Sequence, residues 1–400
     1  MNLANLYFVT FSHYIIMRNF FFGVVSVTTS LFGTIQAECP DYAQYSQQSH
    51  PPLSAGKYKL GYQRPSPECR TFNSSIVEQT ITNMQSVIKD PDLFRLFQNS
   101  FPNSLDTAVK WKGVAANNSG EELTFLITGD INAMWLRDSA NQMQSYLPLV
   151  KADSSPDSLA SLYRGVINLQ ARYVIQAPHC NSFQPPVESG LKPSKNQDRP
   201  DEYTPPISTD IAFECKYELD SLAAFLEIST NYYEATGDIE FFRNFQWVQA
   251  ITTILQTTEA LLVGTYAANG SVNTVPYTWQ RQTTSATETL DNSGRGNPVQ
   301  DGTGLIRSAF RPSDDSTIYQ LFIPANMMFA RYLDSASKIM TEIGSQRNLA
   351  NHMHNFSQSI RAAITTYGIV NDPVYGNVYA FEVDGFGSGL WFHHMKFRRY

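Results

Sequence analysis

Charge is scarce in this 400-residue chain: Lys, Arg, Asp and Glu together make up 16% of it. No run of Lys and Arg lies along a helical face, and 36 acidic against 29 basic residues give a formal net charge of −7. That balance excludes nucleic acid as a partner. Cysteine is rarer still, with Cys39, Cys69, Cys180 and Cys215 as the whole complement. None stands at metal-ligand spacing. The seven His, among them His352 with His354 and the pair His393 and His394, have no Cys or carboxylate partners at zinc-site intervals. They read as structural or surface residues, and no metal or other cofactor is expected. Beyond the N-terminus, no apolar run approaches the ~20 residues a membrane span needs. What the chain does have is 42% hydrophobic residues, enough to bury the core of one catalytic-size domain and to exclude disordered and fibrous classes. Aromatics reach 13%, which suits a sugar-stacking surface and an ordinary large core alike.

At the N-terminus, Arg18 precedes the apolar run from Phe20 to Val25, which continues to Leu31, Phe32 and Gly33, and Ala37 offers a small residue for cleavage. This is a signal-peptide layout over residues 1–37, for which Met17 makes a more ordinary start than Met1. An uncut signal anchor is the alternative, and only that form would hold the protein at a membrane. Asn-x-Ser/Thr sequons at Asn73, Asn117, Asn269 and Asn355 fit passage through the endoplasmic reticulum. Secretion or residence in the secretory pathway is the expected location, and a monomer the expected state. In an oxidising compartment the cysteines can form two bridges, in any of three connectivities.

Residues 38–70 are rich in Pro, Ser, Gln and Tyr without a period, which predicts an extended arm or linker. Helical patterning then takes over. Ser75 with Glu78 forms a capping-box pattern before Ile76, Val77, Ile81, Met84 and Ile88, and Asp90-Pro91 restarts a helix carrying Leu93, Leu96 and Phe97. Further stripes follow: Leu159 to Tyr173, Leu222 to Tyr233 with Gly237 as the stop, Phe241 through Phe245 and Val248 to Leu255, and Ile360 to Ile364. Strand patterning is confined to Thr124–Thr128 and Tyr277–Gln282. Two long loops, 178–210 and 266–304, have the length of functional segments. Successive long amphipathic helices predict an all-α fold of helical hairpins in a closed ring with a central pocket, over residues 71–388. Such a ring hosts hydrolases, lyases and cyclases, so the site must decide the chemistry.

Three segments concentrate ionisable residues at loop-to-helix junctions. In TGDINAMWLRDSANQ (128–142), Asp130, Arg137 and Asp138 surround Trp135 where a helix begins. Sugars need both bidentate hydrogen bonds and an apolar plate, although Asp138 as a helix cap and an Arg137–Asp130 bridge would explain the same letters structurally. In DEYTPPISTDIAFECKYELDS (201–221), Asp210, Glu214, Glu218 and Asp220 stand at near-helical spacing around Lys216, with Glu214 and Glu218 sharing a face. Asp210 and Glu214, nearer the loop end, are the better site candidates. Acidic stripes are otherwise solvated faces. In GLIRSAFRPSDDSTIYQLFIPANMMFA (304–330), Ser313 is placed to cap a helix with Asp314 and Asp315 in its first turn and Arg311 beside them. A carboxyl in an apolar neighbourhood can donate a proton near neutral pH, whereas first-turn Asp also favours the helix dipole with no catalysis.

Together with YTWQRQT (277–283) and FEVDGFG (381–387), these segments resemble glycoside hydrolase family 125, the metal-independent exo-α-1,6-mannosidases, from about Arg64 to Gly387. The resemblance implies an (α/α)6 barrel that removes terminal α-mannose with inversion, without metal, from a mannose-containing glycan. It makes SDD the acid-bearing segment, with Asp315 favoured over Asp314 as proton donor. WLRDS becomes part of the mannose subsite through Trp135, Arg137 and Asp138. The family's base is a Glu in a HESF-like motif that this sequence does not contain. After Ser388 the letters leave the family pattern, so 389–400 reads as an aberrant tail and the ring as incomplete, as a truncated gene model would leave it. The alternative functions are a carbohydrate-binding or inactive form without the base, and a lyase or cyclase on the same ring.

Overall fold

The computed structural model describes residues 39–196 and 201–391. The expectations for residues 1–37, and those for the last residues of the tail, lie outside them. The chain divides into two units, Met1–Cys39 and Pro40–Tyr400, and the helices and strands named below all belong to the second.

Segment 40–70 has little regular structure, but it is tied down. Arg64 is buried, donating to Asp106 and Glu78, and Ser54 bonds to Asp92. That pairing explains why the expected capping box does not form: α1 (Ser75–Val87) starts after Ser74 without a side-chain cap, because Glu78 turns to Arg64 and Arg70. The next signal holds. Asp90 accepts from the amides of Asp92 and Leu93, and Pro91 opens α2 (Pro91–Ser100). Its stripe is only partly used, since Leu93 and Leu96 are exposed.

β1 (Val109–Ala115) and β2 (Asn118–Leu126) form an antiparallel hairpin, followed by β3 (Met134–Trp135) and α3 (Leu136–Gln144). α4 (Leu159–Gln176) buries the whole Leu159 to Tyr173 stripe and lies against β2. α5 (Leu219–Thr236) is buried almost all round, as a helix packed between others must be: α3, α4 and the later helix over Ile323–Ile343 all touch it. Gly237 ends it at φ 64, a left-handed conformation that glycine adopts without strain. The stripe after it is two helices rather than one. A short turn, Ile239–Arg243, breaks before α6 (Trp247–Ala260), with Phe245 at φ 58 between them. α7 (Ile323–Ile343) and α8 (Arg347–Tyr367) pack on each other.

Strands are more numerous than an all-α reading anticipates. β4 (Ser182–Phe183), β5 (Asp201–Thr204), β6 (Ala212–Glu214), β7 (Thr278–Arg281), β8 (Leu321–Phe322), β9 (Ile369–Asp372), β10 (Gly376–Tyr379), β11 (Glu382–Val383) and β12 (Gly389–Leu390) complete twelve strands in five small sheets among the described residues. They organise the loops. β5 pairs with β7, Asp201 opposite Arg281 through Thr204 opposite Thr278, which joins the two long loops to each other. β3, β4 and β6 form one sheet, and β8, β11 and β12 another. Each of these sheets ends where a helix begins: β3 at α3, β6 a few residues before α5, and β8 at α7. Of the possible cysteine connectivities, the structure contains the Cys180–Cys215 bridge, which fastens loop 178–210 beside β6.

Candidate active site

The first turn of α3 presents Arg137 and Asp138, and the guanidinium of Arg137 is the hub of the site. It donates to Glu218 Oε2 at 2.5 Å and Asp220 Oδ2 at 3.1 Å, and its Nε lies 3.3 Å from Asp138 Oδ1. Asp130, by contrast, is exposed and makes no bridge to Arg137. Asp138 is no cap either, since Trp135 precedes the helix in that position. Trp135 is largely buried, edge-on to Phe213 with ring centroids 5.4 Å apart.

The near-helical spacing of the second segment is not a helix. Glu214 lies on β6, the chain stays extended to Glu218, and α5 starts at Leu219, where Ser308 Oγ accepts the Leu219 amide at 3.0 Å. Glu214 is still part of the site. It lies 3.2 Å from Lys216 and 3.4 Å from Arg281, and it accepts from Asn181 at 3.4 Å. Asp210 is not in the cluster; it is exposed on the wall of an adjoining cavity of about 600 Å³, which Tyr203, Phe213 and Glu214 also line.

The SDD segment forms a tight turn instead of a helix start, because α7 begins only at Ile323. The Asp314 amide bonds back to Arg311 O at 2.9 Å, the Arg311 amide to Asp315 O at 2.8 Å, and Asp314 takes a left-handed φ of 64. Asp tolerates that conformation better than most residues, and such outliers concentrate at functional sites. The two aspartates consequently point apart. Asp315 accepts from Ser313 Oγ at 2.9 Å in an exposed contact, whereas Asp314 faces Asn181 Nδ2 at 3.5 Å and the carboxyl of Glu218. The structure therefore brings Asp314, and not Asp315, to the cluster. Arg311 anchors the turn from beneath by donating to Glu382 at 2.5 Å. Glu382 is fully buried, and its other oxygen accepts the amides of Ile318 and Tyr319.

Three carboxyls, those of Asp138, Glu218 and Asp220, thus surround one cation, and a fourth, that of Asp314, lies beside Glu218. At an effective dielectric of about 20, unit charges about 4 Å apart repel by about 4 kcal/mol, so full ionisation is unfavourable. Burial, joined by the charge of Asp220, drives the Glu218 carboxyl well above the usual carboxylate range against the pull of Arg137. Asp138 and Asp220 are raised by burial too, with Arg137 opposing. Burial acts against the charge of Arg137, but Glu218 and Asp220 outweigh it and hold the guanidinium protonated. Glu218 Oε1 is buried with no donor among the described residues, and its carboxyl neighbour is Asp314. A second carboxyl this close disfavours the ionisation of Glu218 further.

Asn181 is the residue that sequence reasoning missed. Its side chain reaches Glu214 and Asp314, its Oδ1 accepts the Lys216 amide at 3.1 Å, and its carbonyl accepts the Leu136 amide at 3.0 Å. One short polar side chain in a 33-residue loop carries no signal of that role. Its position next to a bridged cysteine is visible only once Cys180 and Cys215 are seen joined.

A model of the metal-independent alpha-mannosidase family (GH125) matches residues 90–394. The chain belongs to glycoside hydrolase family 125. The family match runs past Gly387 into the residues expected as an aberrant tail. The chain is 44% identical over 354 residues to the meiotically up-regulated gene 157 protein of Schizosaccharomyces pombe, covering 88% of this chain and 68% of that one. It is also similar, with a TM-score of 0.66 and 26% identity, to a solved metal-independent α-mannosidase of Streptococcus pneumoniae in a non-productive complex with α-1,6-mannobiose, over 80% of this chain and 69% of that one. The fold is accordingly that of a helical family 125 glycosidase, and the chain is an α-mannosidase.

Proposed function

We propose that this chain is an exo-acting, inverting α-mannosidase that releases terminal mannose from α-1,6-linked mannosides, on an (α/α)6 ring. The observation that carries the reading is the placement of the Asp314 carboxyl beside the buried carboxyl of Glu218 at the Arg137 hub. In the proposed roles, Arg137 and Asp138 bind hydroxyls of the terminal mannose, with Trp135 in the wall behind them. Asp314 protonates the glycosidic oxygen as the bond from C1 to that oxygen breaks, and Glu218 supplies the reserve proton. Water attacks C1 from the opposite face, and its proton passes to a carboxylate base, as inversion requires. The ring is supported by the sequence of helices: α3 and α5 begin at the site, and α3, α5 and α7 are each followed by a second helix.

The test is release of mannose from α-1,6-mannobiose in the presence of a chelator, with the anomer followed by NMR. β-Mannose appearing first is the expected result. Loss of activity on chelation, or α-mannose as first product, would overturn the reading, and binding without turnover would leave a carbohydrate-binding role. We also propose secretory passage of a monomeric, glycosylated protein. All four sequon asparagines are exposed, which leaves them open to modification. Among the described residues no helix is long and apolar enough to cross a membrane.

A further inference from the structure

Away from the active site, a cavity of about 180 Å³ lies beside the bridge between Tyr266 and Val272, with Thr265, Asn273, Asn292, Arg295 and Arg307 in its lining. It shares no residue with the carboxyl cluster, and its chemistry is the reverse. Asp201, Asp210 and Glu214 line the cavity at the active site, while no carboxylate lines this one and two arginines do. In a chain of net charge −7 that is an unusual concentration of positive charge, and neither arginine holds a carboxylate among the described residues.

Arg307 is the telling residue. Among the described residues only two arginines are buried, and the other, Arg64, is held by Asp106 and Glu78. The half-buried Arg137, Arg164, Arg172, Arg281 and Arg311 each hold a carboxylate as well. Arg307 has only neutral acceptors: Val263 O at 2.9 Å, Gln320 Oε1 at 2.9 Å and Thr265 Oγ1 at 3.1 Å. A guanidinium carries five N–H donors, so two remain for a ligand. Burial lowers its pKa to about 10, with the charge of Asp301 opposing, and it stays protonated at neutral pH. Asp301 acts only at longer range, its carboxylate being taken up by the Gly264 amide at 2.6 Å. A buried cation calls for a counter-charge, and a planar fork of donors matches the oxygens of a phosphate.

We infer that this cavity binds a small phosphate-class oxyanion between Arg307 and Arg295. The neighbouring residue gives such binding a structural reach. The Ser308 amide bonds to Gln320 O at 2.7 Å, and Ser308 Oγ receives the Leu219 amide at the start of α5. An anion on Arg307 therefore braces the strap that holds the site helix.

The experiment titrates inorganic phosphate into the full chain by calorimetry and thermal melting, with chloride holding the ionic strength constant. Saturable binding with a rise in Tm is expected. Arg295→Ala removes an exposed side chain and should weaken affinity roughly 5- to 10-fold, as loss of a charge-assisted contact does. Arg307→Gln should abolish binding, and Arg295→Ala decides alone if that variant does not fold. A hexose monophosphate run in parallel separates the sources: tighter binding than inorganic phosphate assigns the site to a terminal phosphomonoester, equal binding to the free anion. No saturable response in the wild type, or a response unchanged in Arg295→Ala, would overturn the inference. Mannosidase activity is not the readout, so its presence or absence leaves this result unaffected.

Discussion

Asp314→Asn and Asp315→Asn are adjacent, chemically identical substitutions whose consequences should differ by orders of magnitude. Asp314 lies beside the buried carboxyl of Glu218 and borders Asn181, and in the proposed role it is the proton donor, so the amide removes the acid from the leaving-group side of the site. General acid catalysis contributes about 10²- to 10⁴-fold, or about 2.7 to 5.4 kcal/mol of barrier at about 1.36 kcal/mol per tenfold. Turnover of α-1,6-mannobiose should fall by that factor. A mannoside with a very good leaving group should be nearly spared, because its oxygen departs without protonation. Stability should hold, since the change removes one of four crowded carboxyls. Asp315→Asn instead perturbs an exposed contact with Ser313, a hydrogen bond contributing about 1 kcal/mol at most, and should leave kcat within about threefold. The assay is steady-state kinetics on both substrates with a melting curve for each variant. If Asp315→Asn carried the leaving-group dependence and Asp314→Asn did not, the assignment drawn from the turn geometry would be wrong. Two silent variants would remove the SDD turn from the mechanism.

Two further outcomes rest on the same geometry. The raised pKa of Glu218 means that the folded state holds its proton above the ordinary carboxylate range. Its stabilising contribution is complete in acid and is lost as pH rises through the raised value, so wild-type stability should decline with pH across that window by about 1.36 kcal/mol per pH unit for each extra proton held. Glu218→Gln should flatten the decline in chemical denaturation run at several pH values, and an unchanged slope would show that Glu218 is not the group responsible. The Cys180–Cys215 bridge closes a 35-residue separation, for which the chain-entropy model gives about 4 kcal/mol. Cys180→Ser with Cys215→Ser should lose stability on that scale and activity along with it, because Asn181 loses its fastening. Full activity in a destabilised double variant would separate Asn181 from the site.

Helices with a closed apolar stripe and a local stop were legible from letters alone. Leu159 to Tyr173 and Leu222 to Gly237 are buried and bounded much as their periodicity dictates, and Asp90-Pro91 starts its helix by local hydrogen bonds. The failures share one cause, which is that a distant partner outcompeted a local pattern. Glu78 left its capping box for Arg64, 14 residues away, and Glu214 left the helical spacing for a strand paired with Ser182. Ser313 could not start a helix because Arg311 and Asp315 closed a turn instead, under the hold of Glu382. The site itself was legible as three segments. Which residues in them meet was not, because Arg137 chooses Glu218 and Asp220 over the adjacent candidates only when α3 and α5 pack side by side.

The order of synthesis gives the Arg137 hub a history. Arg137 and Glu218 are separated by 81 residues, and Asn181 and Asp314 by 133, so the long-range bonds of the site wait for chain that has yet to be made. The cation emerges first, and Glu218 and Asp220 then find it already in place. Asp314 arrives last, several seconds later at roughly 5 to 20 residues per second. A nascent chain that has reached α5 already sets three acids, those of Asp138, Glu218 and Asp220, against the single charge of Arg137. The SDD turn then adds a fourth carboxyl, that of Asp314, beside Glu218. The proposed acid is thus the last piece added to a frame whose cation and first acids were joined before it.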